Sequence, residues 1–278
     1  MSVPDALLLT SMTRLTWMEL RVDGRKDTSW IEPLSQLPSL TDLEVTLWGP
    51  VPAGFGALTQ CTRLELHEID STDNLSCLQH LTCLEECRLS ISSAECLLAL
   101  PDCLAKLTMN VHPKLLDQSF GRALEPLTAL EDLAILPGCD PWAVDGNSID
   151  WVCSLPALPN LKALDLVLAC GRMLQLGPLP CLRSLKLENC RWLEETHALR
   201  QLGALPSLRS LTVYNRSNGI ESDKALDLRP DELLDLLAAL PLLEELRLPQ
   251  EHWHQLERIL PGGVESFART SLPLCKIL

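Results

Sequence analysis

The sequence predicts an α/β fold: a right-handed solenoid of about ten strand-and-return units, with one parallel concave sheet and helices and loops on its convex side. Three observations carry that expectation. A leucine-spaced unit recurs along the chain. Each copy ends in apolar and polar residues in alternation. The 278 residues are 46% hydrophobic but only 4% aromatic, so the core has to be aliphatic.

The unit is Leu, then Pro or Thr, then x-Leu-x-x-Leu-x-Leu. It reads LPSLTDLEV from Leu37, LTQCTRLEL from Leu58, LTCLEECRL from Leu81 and LTALEDLAI from Leu127. It continues as LPNLKALDL from Leu158, LPCLRSLKL from Leu179, LPSLRSLTV from Leu205 and LPLLEELRL from Leu240. A degenerate copy, MTRLTWMEL, starts at Met12, and LPDCLAKLTM from Leu100 fits with one extra residue before Leu104.

Each part of the unit has a physical role. The segment x-Leu-x-Leu has period two, the signature of a strand buried on one face. In several copies the alternation runs one step further, to Val22, Leu47, Ile91, Val111 and Leu168. The two earlier leucines, three apart, turn the chain into the core ahead of the strand. Proline after the first leucine stops the preceding helix and favours extended geometry there. The third leucine-type position falls at 18, 43, 64, 87, 107, 133, 164, 185, 211 and 246. Every interval therefore holds one strand and one return segment, which makes neighbouring strands parallel and the crossovers right-handed. Helical patterns in the returns run over His112–Leu124, Trp192–Leu202 and Asp231–Leu240.

At Leu182-Arg-Ser-Leu185-Lys-Leu187-Glu-Asn-Cys190 the chain resembles the leucine-rich repeat family, whose motif is L-x-x-L-x-L-x-x-N/C. The resemblance covers about residues 12 to 250 and implies a horseshoe. It makes 1–278 a single domain, with residues from about 251 to 278 as a C-terminal cap. Elsewhere the last motif position holds Asp23, Trp48, Ile69, Ser92, His112, Gly138, Ala169, Arg216 or Glu251, so a buried Asn/Cys ladder is nearly absent. The irregular spacing and frequent Leu-Pro look more like intracellular plant-type and F-box-associated arrays than secreted ectodomains.

The 23 Lys and Arg against 37 Asp and Glu give a net charge of −14, which repels nucleic acid and anionic membranes and keeps a leucine-rich surface soluble. The start, MSVPDALLLTSMTRL, lacks a basic region and a signal-length apolar run. The longest aliphatic stretch, Leu233–Leu243, is broken by Asp235 and Pro241. Of the 12 cysteines, Cys61 and Cys87 stand at leucine positions, so the thiols read as core residues kept reduced. The compartment expected is the cytoplasm, with nucleus or cilium as alternatives, and not the secretory route.

Catalytic and metal signals are weak. In Glu251-His252-Trp253-His254 the two histidines share a face only in a strand, whereas Gln250–Leu260 reads as helix. Cys83 and Cys87 lack a second cysteine pair, and the loop with Asp140, Asp145, Asn147 and Asp150 misses the calcium-loop spacing. No phosphate loop or nucleophile elbow is present. The expectation is a non-enzyme without metal or cofactor.

Recognition is expected on the strand positions that point away from the core. At the amino-terminal end these are Trp17, Glu19, Asp42, Glu44, Arg63, Glu65, Glu86, Arg88 and Lys106. Through the fourth repeat they offer five acids against two arginines. Trp48 either flanks that patch as a contact or fills the vacant Asn position as core. The function expected is a monomeric module that binds a partner protein on its concave face. Two alternatives stand beside it: the substrate-recognition subunit of an SCF-type ubiquitin ligase, and a ciliary or cytoskeletal scaffold. No F-box-like segment is expected ahead of residue 12, so either this chain is the receptor half alone or the ligase role does not apply. The long intervals at 137–151 and 215–229 are expected to bulge from the sheet edge as contact loops or as tolerated drift.

Overall fold

The computed structural model describes residues 12–23, 30–71, 75–91, 93–112, 115, 118–138, 152–167, 173–188, 202–214, 216–217, 220–221, 230–248, 257 and 276–277. The recurring strands are β1 (Trp17–Asp23), β2 (Asp42–Pro50), β3 (Arg63–Ser71), β4 (Glu86–Ile91) and β5 (Lys106–Val111). They continue as β6 (Asp132–Pro137), β8 (Ala163–Val167), β10 (Ser184–Glu188), β11 (Ser210–Tyr214) and β14 (Glu245–Arg247). All ten lie in one sheet in chain order, and β15 (Lys276–Ile277) adds an eleventh strand beyond β14. Among the described residues every strand pairing in that sheet is parallel. The fold is an α/β leucine-rich-repeat solenoid.

The register repeats what the leucines dictate. Met18, Leu43, Leu64, Cys87, Leu107, Leu133, Leu164, Leu185, Leu211 and Leu246 stand partner to partner across the sheet. All are buried, in one continuous core. Cys61 and Cys87 are fully buried in leucine positions, and Val22, Leu47, Ile91 and Val111 extend the spine by one step. Ahead of each strand the first leucine's carbonyl accepts from the amide three residues on, as in Leu40 to Leu37 at 3.2 Å and Leu161 to Leu158 at 3.2 Å. In the shifted copy the same turn closes from Leu104 to Pro101 at 3.3 Å, which places the extra residue.

Return segments are less helical than the sequence pattern implies. Three of the four intervals of 20 to 23 residues hold a 3-10 turn, at Ala53–Ala57, Leu75–His80 and Ala94–Ala99. The longer intervals carry α-helix: α1 (Ile31–Ser35), α2 (Gln118–Leu124) and α3 (Pro230–Ala239). Helix α2 therefore occupies only the second half of the expected His112–Leu124, and most of Trp192–Leu202 lies outside the described residues. On this side Trp30 and Phe55 meet edge to face, with centroids 5.7 Å apart.

Two features were not foreseen. β7 (Val152–Leu155) and β9 (Met173–Leu176) pair in parallel as a second small sheet. Between them Gly177 is required by close approach, because a Cβ there would meet the Pro156 carbonyl carbon at 2.6 Å and the Leu155 oxygen at 2.7 Å. Within 215–229 a small antiparallel ribbon forms from β12 (Arg216–Ser217) and β13 (Ile220–Glu221). The remainder of that interval, all of 139–151 and the segment with His252 and His254 lie outside the described residues.

Candidate functional site: the open face of the sheet

Side chains between the core leucines form rows, because in-register parallel strands set equivalent positions side by side. One row runs Trp17, Asp42, Arg63, Glu86, Lys106, Asp132. The next runs Glu19, Glu44, Glu65, Arg88, Thr108. All nine residues expected from the sequence therefore stand on two adjacent rows. Alternation with fully buried leucines puts them on the face opposite the main core.

The first row alternates in charge from β2 to β6, and the charges are connected. Arg63 reaches Asp42 at 3.2 Å, Glu65 at 2.5 Å and Glu86 at 3.7 Å. Lys106 meets Glu86 at 3.2 Å, and Arg88 approaches Glu65 at 3.5 Å. Trp17 and Glu19 stand outside this chain of ion pairs, and Glu19 pairs along its own strand with Arg21 at 3.1 Å. Further along, Lys186 bridges to Asp165 at 2.8 Å.

Glu65 differs from its expected role. It is only 7% exposed, covered on the open face by its neighbours, so it orders the surface from beneath. Desolvation works against the Arg63 cation, yet Asp42, Glu65 and Glu86 together raise its pKa above the ordinary value. Partial burial pushes the Asp132 carboxyl up; Lys106 opposes this, and Glu86 and Asp165 add to it.

A third row escaped the sequence reading. β2 and β3 each run nine residues, beyond the x-Leu-x-Leu unit, and carry Thr46 and His67 in register, with Arg21 as the partner of Thr46 on β1. Trp48 follows and is 42% exposed, so it is a surface residue rather than a core filler. Arg21, Thr46, Trp48, His67 and Ser90 line a cavity of about 370 Å³. The sequence carries the signal: the apolar alternation runs one step further, to Val22, Leu47 and Ile91, and the outward residues beside that step are these. With Arg21 and Lys106 included, four cations face the five acids Glu19, Asp42, Glu44, Glu65 and Glu86, so the acidic excess on this face is small.

His67 is placed with unusual symmetry. Its Nε2 lies 3.5 Å from Glu44 Oε1 and 3.5 Å from Glu65 Oε2. One ligand atom from each of the three residues falls within 4.8 Å of the others. Among the described residues this is the group whose geometry suits a cation. Cys61 and Cys87 are buried thiols, whereas Cys83, Cys103 and Cys181 are exposed.

No known family's profile matches this chain, and no curated protein matches it. Solved structures do resemble it. An internalin of Listeria monocytogenes is similar at 18% identity and a TM-score of 0.37, over 88% of this chain and 78% of the internalin. A leucine-rich repeat protein of Leptospira interrogans is similar at 16% identity and a TM-score of 0.29, over 97% and 91%. A chain of the Drosophila Toll–Spatzle complex is similar at 18% identity and a TM-score of 0.43, over 88% of this chain and 31% of that one.

Proposed function

We propose that the chain is a non-catalytic interaction module that docks one partner protein on the open, concave face of its sheet. The contact surface is centred on Trp17, Glu19, Asp42, Glu44, Arg63, Glu86, Arg88 and Lys106, with buried Glu65 ordering them from beneath. One observation carries the reading: Trp17 and Trp48, 51% and 42% exposed, flank an ordered ion-pair network on that face. Large exposed aromatics beside pre-positioned charges are the composition from which interface hot spots are drawn. Neither tryptophan helps to fill the core, so stability does not account for them. A net charge of −14 argues for a protein partner over nucleic acid or an anionic membrane. Core thiols such as Cys61 and Cys87 are in keeping with a reducing compartment, the cytoplasm.

Affinity capture from native lysate tests this, with Trp17→Ala/Trp48→Ala and Glu44→Lys/Arg88→Glu as comparators checked for fold by circular dichroism. The expected result is a stoichiometric partner lost with both comparators. Each tryptophan truncation should weaken binding by about thirtyfold, the equivalent of ~2 kcal/mol. An unchanged set of partners would remove this face from consideration. Cullin-ligase adaptors in the captured set would favour the ubiquitin-ligase role, and axonemal or cytoskeletal proteins the scaffold role.

A further inference from the structure

We infer that Glu44, Glu65 and His67 form a zinc site on the open face of the sheet, with a fourth position left to water. The inference does not depend on the partner reading, because the site lies wholly within this chain. Zinc takes imidazole nitrogen and carboxylate oxygen at about 2.0–2.2 Å in tetrahedral geometry, which places ligand atoms about 3.3 Å apart. The two distances from His67 Nε2, both 3.5 Å, already match that spacing. The two carboxylates need only a side-chain adjustment to close, since the three ligand atoms already lie within 4.8 Å.

The strands explain how the set arises. Glu44 and Glu65 are direct partners across β2 and β3, and His67 is the next outward residue of β3. Two like charges directly opposite on neighbouring strands are unfavourable unless a cation offsets them. Arg63 holds Glu65 by Oε1 at 2.5 Å, while Oε2 is the oxygen nearest His67. One carboxylate oxygen is thus fixed from the second sphere and the other is turned to the cation position, an arrangement that orients a metal ligand. The cavity lined by His67, Thr46, Trp48, Arg21 and Ser90 gives an ion a path to the imidazole.

Two cations compete. Arg63 occupies the oxygen zinc does not need. Arg88 stands 3.5 Å from Oε2, the one it does, but its side chain is 46% exposed and is free to swing away. Arg88 therefore acts as a competitor, which supplies a distinguishing test.

The experiment is titration of chelator-treated full chain with ZnCl2, followed by calorimetry and by X-ray absorption at the zinc edge. A nitrogen/oxygen shell near 2.0–2.1 Å is expected, distinct from the ~2.3 Å of cysteine sulfur. His67→Gln and Glu44→Gln should each weaken binding by at least about tenfold without loss of fold. Arg88→Gln should tighten it. A sulfur shell, affinity unchanged in His67→Gln, or no binding at micromolar protein would each overturn the site. The last result would leave a histidine ring set between two carboxylates, without an ion, as the account of the same distances.

Discussion

At the residue scale, burial decides what the cysteines do. Desolvation, reinforced by Asp42, pushes the Cys61 thiol up to about 12. Burial likewise takes Cys87 to about 12, with Glu65 and Glu86 adding to it. The thiolate is the reactive form, so both should stay silent toward an alkylating reagent at pH 8 while exposed Cys83 and Cys181 react. Mass mapping of the labelled peptides checks this. A stability effect follows from the same shifts. Below pH 9 both thiols are neutral folded or unfolded, and the preference for the neutral form costs nothing. Between about 9 and 12 the unfolded chain releases these protons and the folded chain keeps them. Stability should therefore fall with rising pH, by up to about 1.4 kcal/mol per unit for each thiol. Cys61→Ala/Cys87→Ala should show a shallower alkaline slope in urea denaturation, though a lower starting stability. An identical slope would mean that the thiols do not titrate as described.

Single elements show what replaces the missing Asn ladder. In four copies the residue after Leu-Pro or Leu-Thr reaches back to carbonyls of the preceding repeat. Gln60 Nε2 donates to Leu34 and Leu37 oxygens at 3.4 and 3.2 Å, and Asn160 Nδ2 to Thr128 at 2.9 Å. Ser39 and Ser207 hydroxyls do the same to Thr13 and Pro180 at 2.8 and 2.7 Å. This cross-repeat ladder occupies the turn before the strand instead of the position after it. Gly177 marks a second device, the contact between the β9 and β7 exits. Gly177→Ala has only backbone atoms to push against, at 2.6–2.7 Å, so it should cost at least about 1–3 kcal/mol in chemical denaturation. A neutral outcome would show that the two exits are not in tight contact. The strands themselves were legible because leucine spacing reports burial directly. The ladder was not, because Ser, Gln and Asn at a turn look alike whether they face water or a neighbour. β7 and β9 were hidden because short apolar runs before proline fit strand and helix equally. His67 and Trp48 were missed because the motif ends before the strand does.

For the whole molecule, the governing fact is that each repeat pairs only with its neighbours. The main sheet follows chain order from β1 to β15, and among the described residues no strand pair skips a repeat. Stability in such an array is close to a sum of repeat and nearest-neighbour contributions, so a defect need not be felt equally everywhere. The array is also uneven. β2 and β3 are nine residues each, whereas β14 has three and β15 two. Native-state hydrogen exchange should accordingly find the slowest amides in β2 to β5 and the fastest in β14. Leu107 is fully buried near the start of β5, between Cys87 and Leu133, so Leu107→Ala removes packing from two interfaces at once. It should lower protection in β4, β5 and β6 by about 2–5 kcal/mol and leave β11 and β14 much less changed. That gradient is the signature of a one-dimensional stack. An equal drop in every strand would mean that the chain unfolds as one indivisible unit, and that the recurring leucines build one shared core in place of a series of coupled ones.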